Sequence, residues 1–311
     1  MMDVQFWVWL LGGIAAVLAI LYFAKDVFSW IWKNRRIIQR AVWSRSGLKA
    51  SILKSKKIKV AVAHYPPLSY LARSLDGKSF QASGPSFEIF ETFARKHGLE
   101  IEVVPLQWHL IKQHLDRDGC SVALPVFPST ERNRFGKVVG VTHTVGLGAV
   151  SLQTNDKVDS LDSLRKPGIR VAVIEGEVGA EYLAEKYPEK FQSVDTLTSK
   201  SHEITDAMTA VIQERADVAL TDAISCFRFI NENDPDHSKL HNPFSNQPLR
   251  TFATGFLVSK RETALASWLD QEIKELRIGK DYLLSEARQL SGWKTVVFRE
   301  VPEGTDLPDI E

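Results

Sequence analysis

The sequence is poor in the residues that mark a metal centre or a disulfide framework. It has 2 cysteines in 311 residues, Cys120 and Cys226, which lie far apart and match no metal-ligand spacing. We expect both to be free and buried, where a thiol packs like a small hydrophobic side chain. No cofactor and no metal ion are expected.

Common enzyme signatures are absent as well. The chain has no Gly-rich phosphate loop, no HExxH zinc motif and no G-x-S-x-G nucleophile motif. His237 and His241 lie four residues apart beside two aspartates, but their polar, proline-bounded segment favours a solvated loop over a metal site. We expect a protein that is not an enzyme.

The net charge of +1 conceals an uneven distribution. Residues 25–59 hold eleven lysines and arginines against one acid, whereas residues 60–311 hold 28 basic and 36 acidic residues. An acidic body argues against nucleic acid as a partner, because phosphate binding needs a basic face. With 44% hydrophobic and 25% charged residues, the composition is that of a folded globular protein.

A long apolar run lies near the amino terminus, where residues 4–24 contain no charge. At about 1.5 Å per residue, such a run spans the hydrocarbon core of a bilayer as a helix. A cleaved signal peptide fits less well, because no basic segment precedes the run and the run is too long. We expect a single-pass anchor over 1–24 in contact with the lipid bilayer, then a basic juxtamembrane segment over 25–56.

From residue 57 onward, strand-like and helix-like patterns alternate. Two β-α-β sets follow one another, which predicts parallel strands with crossover helices. Extended runs near 145–153 and 251–258 join the sets, so we expect an α/β chain with two parallel-sheet lobes and two hinge crossings. The predicted divisions are lobe one over 57–149 and 252–295, lobe two over 150–251, and a carboxyl-terminal tail over 296–311.

Ligands of open α/β sheets bind beyond the carboxyl ends of the strands. At these predicted ends, Arg132 offers a planar fork of donors suited to a carboxylate, and a helix start at Gly176 could donate backbone N–H groups to an anion. Asp222 could accept from an ammonium or cap the following helix. Tyr65 could stack on an apolar side chain or belong to the core. Together these groups would complement a zwitterion.

Six segments over about 57–293 carry a resemblance to a known family: VAVAHYPPLSY, GPSFEIFETFARKHGLEIEVVPLQW, STERNRF, SLDSLRKPGIRVAVIEGEVGAEYL, ERADVALTD and GFLVSK. They resemble bacterial solute-binding proteins of the polar amino-acid class (family 3), which are two-lobed periplasmic receptors for ABC importers. The resemblance implies that Arg132 holds the ligand α-carboxylate with backbone at Gly176, that Asp222 holds the α-amino group, and that Tyr65 stacks on the side chain.

Two residues of the predicted ligand-binding set differ from the family pattern. Phe127 stands five positions before Arg132, where the family often has a hydroxyl residue, and Glu177 stands where it commonly has threonine. The charge of Glu177 opposes a bound carboxylate unless its side chain points away or meets a cation.

The resemblance implies a membrane-anchored protein that captures an amino acid or similar small carboxylate for ABC-type uptake through a permease. The alternative is a ligand-sensing or regulatory subunit of a membrane complex, which the uncleaved helix motivates. Some relatives with this fold are cyclohexadienyl dehydratases, but their catalytic glutamate corresponds to Ala180. The family implies a periplasmic body on the inner membrane, whereas the basic residues after the anchor favour the cytoplasmic side.

Overall fold

The computed structural model describes residues 47–74, 76–200, 203–244 and 250–299. The chain divides into two compact units, Met1–Ser51 and Ile52–Glu311. The described part of the first unit, residues 47–51, enters helix α1 (Leu48–Ser55). The predicted membrane anchor lies outside the described residues. Among the described residues, no helix combines the length and apolarity that a membrane crossing requires.

Lobe one contains a parallel three-stranded core with the first strand of the chain at its centre. These strands are β1 (Lys57–Val62), β4 (Glu100–Pro105) and β5 (Val122–Val126), and β1 pairs with both others. An antiparallel hairpin, β2 (Tyr70–Arg73) and β3 (Phe80–Ser83), precedes the first helix of the lobe. The sequence pattern did not predict this hairpin, whose residues are largely exposed and lack an apolar stripe.

The main helix of lobe one, α2 (Pro85–Lys96), buries apolar residues that recur at helical spacing. Proline stands at its first helical position, where a backbone N–H has no partner within the helix. Phe90 and Phe93 lie on the buried face and have no exposed surface. Two shorter helices complete the lobe before the first crossing: α3 (Ile111–Asp116) and α4 (Arg132–Phe135).

Lobe two repeats the parallel arrangement, with its first strand again in the middle. The strands are β7 (Val171–Ile174), β8 (Thr196–Ser199) and β9 (Val218–Asp222), in the order β9-β7-β8. Ser160 is the N-cap residue of a 3-10 helix, Leu161–Arg165. The helices are α5 (Val178–Lys186), α6 (Pro188–Phe191), α7 (Thr205–Ile212) and α8 (Ala223–Asn233).

Two long antiparallel strands, β6 (Gly136–Leu152) and β11 (Thr251–Ser259), join the lobes. Because β11 also pairs with β5, and β6 with β9, the sheet runs continuously as β4-β1-β5-β11-β6-β9-β7-β8. Each lobe has the expected parallel core, but the two cores belong to one mixed sheet, because the crossings are themselves strands. Two short strands, β10 (Leu240–His241) and β12 (Val297–Arg299), pair with β6.

After the second crossing the chain returns to lobe one through α9 (Thr263–Leu276) and α10 (Lys280–Gln289). Trp268 of α9 packs edge-on against Phe93, with ring centroids 4.8 Å apart. Gln289 of α10 donates to Glu88 of α2 at 2.8 Å. Both cysteines are free and buried, as expected.

Candidate functional site

The carboxyl ends of four strands bring all six predicted site residues to one place. Two parallel strands of each lobe contribute, so side chains from both lobes meet across the cleft. The residues are Tyr65 after β1, Phe127 after β5, Arg132 in α4, Gly176 and Glu177 after β7, and Asp222 at the end of β9.

Arg132 is 7% exposed and is held from several directions. Its backbone N–H donates to Ser129 Oγ at 3.1 Å, which fixes the start of α4. Its Nη1 lies 3.4 Å from Phe127 O, and its Nη2 lies 3.6 Å from Glu177 Oε1 of lobe two. The guanidinium carbon is 5.3 Å from the centroid of the Trp108 ring, within the range of a cation–π contact. The two polar distances are long for hydrogen bonds.

Glu177 is the N-cap residue of α5, but its side chain makes no capping hydrogen bond and turns towards Arg132. Burial raises the pKa of Glu177; Arg132 lowers it and Asp222 raises it further, so the net shift is upward. The Glu177 carboxylate of lobe two therefore faces the Arg132 guanidinium of lobe one.

The helix expected to start at Gly176 starts two residues later, at Val178. Gly176 has a φ of 77°, a left-handed conformation that glycine adopts without strain. The N–H of Glu177 donates to Ile174 O at 3.2 Å and is not free for an anion. A Cβ at Gly176 would lie 3.7 Å from Glu131 Oε2, so this turn approaches lobe one closely.

Asp222 and Tyr65 bond directly across the cleft, the tyrosine hydroxyl donating to Asp222 Oδ1. Asp222 also caps α8: its Oδ1 accepts from Ser225 N at 2.8 Å and its Oδ2 from Ser225 Oγ at 2.7 Å. The Tyr65 ring makes edge contacts with Trp108 and Phe127, at centroid distances of 6.3 and 5.8 Å. Burial, followed by the charge of Asp222, raises the pKa of Tyr65 well above its usual value, so the phenol stays a neutral donor.

A third polar contact between the lobes lies beside Arg132. The N–H of Thr130 donates to Glu181 Oε1 of α5 at 3.1 Å. Burial raises the pKa of Glu181, although the bond from Thr130 acts in the opposite direction. Like Tyr65–Asp222 and Arg132–Glu177, this contact joins a group of lobe one to a group of lobe two.

A cavity of about 250 Å³ opens beside Arg132. Tyr65, Phe127 and Asp222 do not line it. Of the six predicted residues, Arg132, Gly176 and Glu177 do. Three residues that also line this cavity were not predicted from the sequence. They are Trp108, whose ring covers Arg132, and the carboxylates Glu131 and Glu175.

A larger cavity, about 450 Å³, lies in lobe two and includes Tyr187 and Lys190. Lys190 is buried, and its Nζ already donates to Lys166 O and to Asp195 Oδ2, each at 3.0 Å. None of its lining residues comes from the four strand ends, where sheets of this kind bind ligands. The smaller cavity is therefore the candidate site.

Solved structures share this fold, although no family model and no curated protein sequence matches the chain. A histidine kinase sensor domain with similarity to periplasmic binding proteins is 20% identical, with 78% of this chain and 98% of that chain covered and a TM-score of 0.62. The periplasmic VFT2 domain of BvgS from Bordetella pertussis is 20% identical, with 79% and 96% covered and a TM-score of 0.62. A solute receptor for L-cysteine from Neisseria gonorrhoeae is 18% identical, with 79% and 94% covered and a TM-score of 0.61. These likenesses confirm the two-lobed periplasmic-binding-protein-like fold.

Proposed function

We propose that the body of this chain is a binding domain that captures an amino acid or a similar small carboxylate between its lobes. The observation that carries the proposal is Arg132, a buried guanidinium beside an open cavity at the carboxyl end of β5. A buried cation is costly unless an anion with good geometry pairs with it. The contact to Glu177 at 3.6 Å is a loose pair, and a ligand carboxylate could make two shorter bonds to the same fork.

Calorimetry of the full-length chain against the twenty amino acids tests the proposal. Arg132→Ala should weaken binding by at least about tenfold, because it removes the buried partner of the ligand carboxylate. Arg134→Ala is the matched control, since Arg134 lies on the same short helix and is exposed. Failure of every amino acid to bind, or equal binding by Arg132→Ala, would overturn the proposal.

A sensing role is the second candidate function, and the polar links between the lobes favour it. Tyr65–Asp222 and Thr130–Glu181 hold the lobes together through the protein's own groups. Such a domain can signal by changing between two arrangements about the crossings β6 and β11. One of the similar structures described above is a histidine kinase sensor domain. Co-purification from native membranes separates the roles: a permease with its ATPase supports uptake, and a signalling protein supports sensing.

We propose that the domain is not catalytic. Ala180, at the position of the dehydratase glutamate, is 4% exposed in α5 and carries no group that can transfer a proton. Incubation of the purified chain with prephenate checks this proposal, and turnover above that of a protein-free blank would refute it.

We also propose that residues 4–24 anchor the chain in the inner membrane with the body in the periplasm. The absence of charge over 21 residues supports the anchor, and the fold is that of periplasmic binding proteins. Alkaline phosphatase fused to the carboxyl terminus should be active, and a fluorescent protein that matures only in the cytosol should stay dark. The reverse pattern would place the body in the cytoplasm.

A further inference from the structure

We propose that Glu177 determines the specificity of the cleft, and that it selects ligands with a net positive charge, such as basic amino acids. This inference rests on the proposed binding function. It concerns which small carboxylates the cleft accepts, and it follows from the position of Glu177 and the charge of its surroundings.

Glu177 occupies the place that a ligand carboxylate needs. Its Oε1 lies 3.6 Å from Arg132 Nη2, and the two side chains are 19% and 8% exposed. A ligand carboxylate must therefore displace Glu177 or share Arg132 with it. Either way, two carboxylates approach one buried guanidinium, and the second needs another cation.

The described residues of the cleft do not supply that cation. The buried or half-buried charges near the cavity are Arg132 on one side and Glu177, Glu181 and Asp222 on the other. Lys112 lines the cavity but is exposed, so solvent screens its charge. One buried cation therefore faces three carboxylates.

Two exposed acids, Glu131 and Glu175, line the same cavity, and solvent screens their charges as it screens that of Lys112. The cleft therefore has an excess of negative charge. A zwitterion with a neutral side chain brings one charge of each sign and leaves the excess unchanged. An acidic ligand enlarges the excess, whereas a ligand with a cationic side chain reduces it. The expected order of affinity is basic, then neutral, then acidic.

The decisive variant is Glu177→Gln, which keeps the side-chain length and removes the charge. Glu177 makes no side-chain capping bond, so this change does not remove a cap from α5. Glu189→Gln is the control, because Glu189 is an exposed acid of the same lobe outside the cleft. Calorimetry of the full-length wild type and both variants would use L-lysine, L-arginine, L-alanine and L-glutamate as probes, and the melting temperature of each variant would show that it is folded.

The wild type should bind L-lysine or L-arginine at least about tenfold more tightly than L-alanine, and L-glutamate more weakly still, as close charge pairs of this kind allow. Glu177→Gln should reduce the preference for L-lysine over L-alanine to about threefold or less, and Glu189→Gln should preserve it. Equal binding of L-glutamate and L-lysine by the wild type, or an unchanged preference in folded Glu177→Gln, would overturn the inference while the proposed function stands. Binding of none of the twenty amino acids would overturn both.

Discussion

The bond between Tyr65 and Asp222 gives the sharpest test of how the lobes are held together. Tyr65→Phe removes one hydroxyl and keeps the ring, so the edge contacts with Trp108 and Phe127 persist. The Asp222 carboxylate still accepts its two hydrogen bonds from Ser225, so it keeps hydrogen-bond partners in the variant. The loss is therefore one buried hydrogen bond to a charged acceptor, which contributes about 1.5–3 kcal/mol to the free energy of unfolding.

Urea unfolding of the full-length chain, followed by tryptophan fluorescence at pH 7.5, measures this loss. Tyr70→Phe is the control because Tyr70 is 41% exposed on β2, and such a surface change should stay within about 0.5 kcal/mol. If Tyr65→Phe destabilises the protein no more than Tyr70→Phe, the hydroxyl does not bond across the cleft and the reasoning fails.

Two further predictions concern α5 and its N-cap. Gly179→Ala should cost at least about 1–3 kcal/mol in urea unfolding, because its Cβ would stand 2.0 Å from Leu220 O, whereas Gly292→Ala, with nothing within 4 Å of its Cβ, should be nearly neutral. Burial raises the pKa of Glu177 in the folded state above its usual 4.5. Between pH 4.5 and that raised pKa, the folded state binds more protons than the unfolded state, so the free energy of unfolding falls as pH rises. Glu177→Gln should therefore become more stable relative to wild type as the pH rises from 5 to 7.5. If the difference in free energy of unfolding between the two proteins is the same at both pH values, burial does not raise the pKa of Glu177.

Helices and strands could be predicted from the sequence where one buried face requires apolar residues at regular spacing. Phe90 and Phe93 repeat along one face of α2, and the apolar run ending at Val62 makes β1 a buried strand. Elements without an apolar stripe were missed: the β2–β3 hairpin is largely exposed, and β8 is a half-exposed edge strand. The pairing of β6 with β11 was also missed, because local sequence does not encode a strand's partner.

The site could be located from the sequence, but its internal bonds could not. Within each lobe the parallel strands end at one edge, and Arg132 follows such an end in lobe one while Asp222 stands at such an end in lobe two. The pairing of Tyr65 with Asp222, and of Glu177 with Arg132, depends on the distance between the lobes, which no local pattern sets. Trp108 was missed for the same reason, since it lies in a 3-10 turn whose position is fixed by tertiary packing.

The two pairs that link the cleft differ in how readily a ligand can replace them. Tyr65–Asp222 is buried and supported by the cap of α8, whereas Arg132–Glu177 is 3.6 Å long and its carboxylate is disfavoured by burial. Under the proposed function, a ligand in the cavity meets the weaker pair first, because Arg132 and Glu177 line the cavity and Asp222 does not. If its amino group is to reach Asp222, it must also break the stronger pair, which lowers affinity by about ten- to hundredfold. A ligand that exchanges with Glu177 alone avoids this loss and leaves the inner link between the lobes intact.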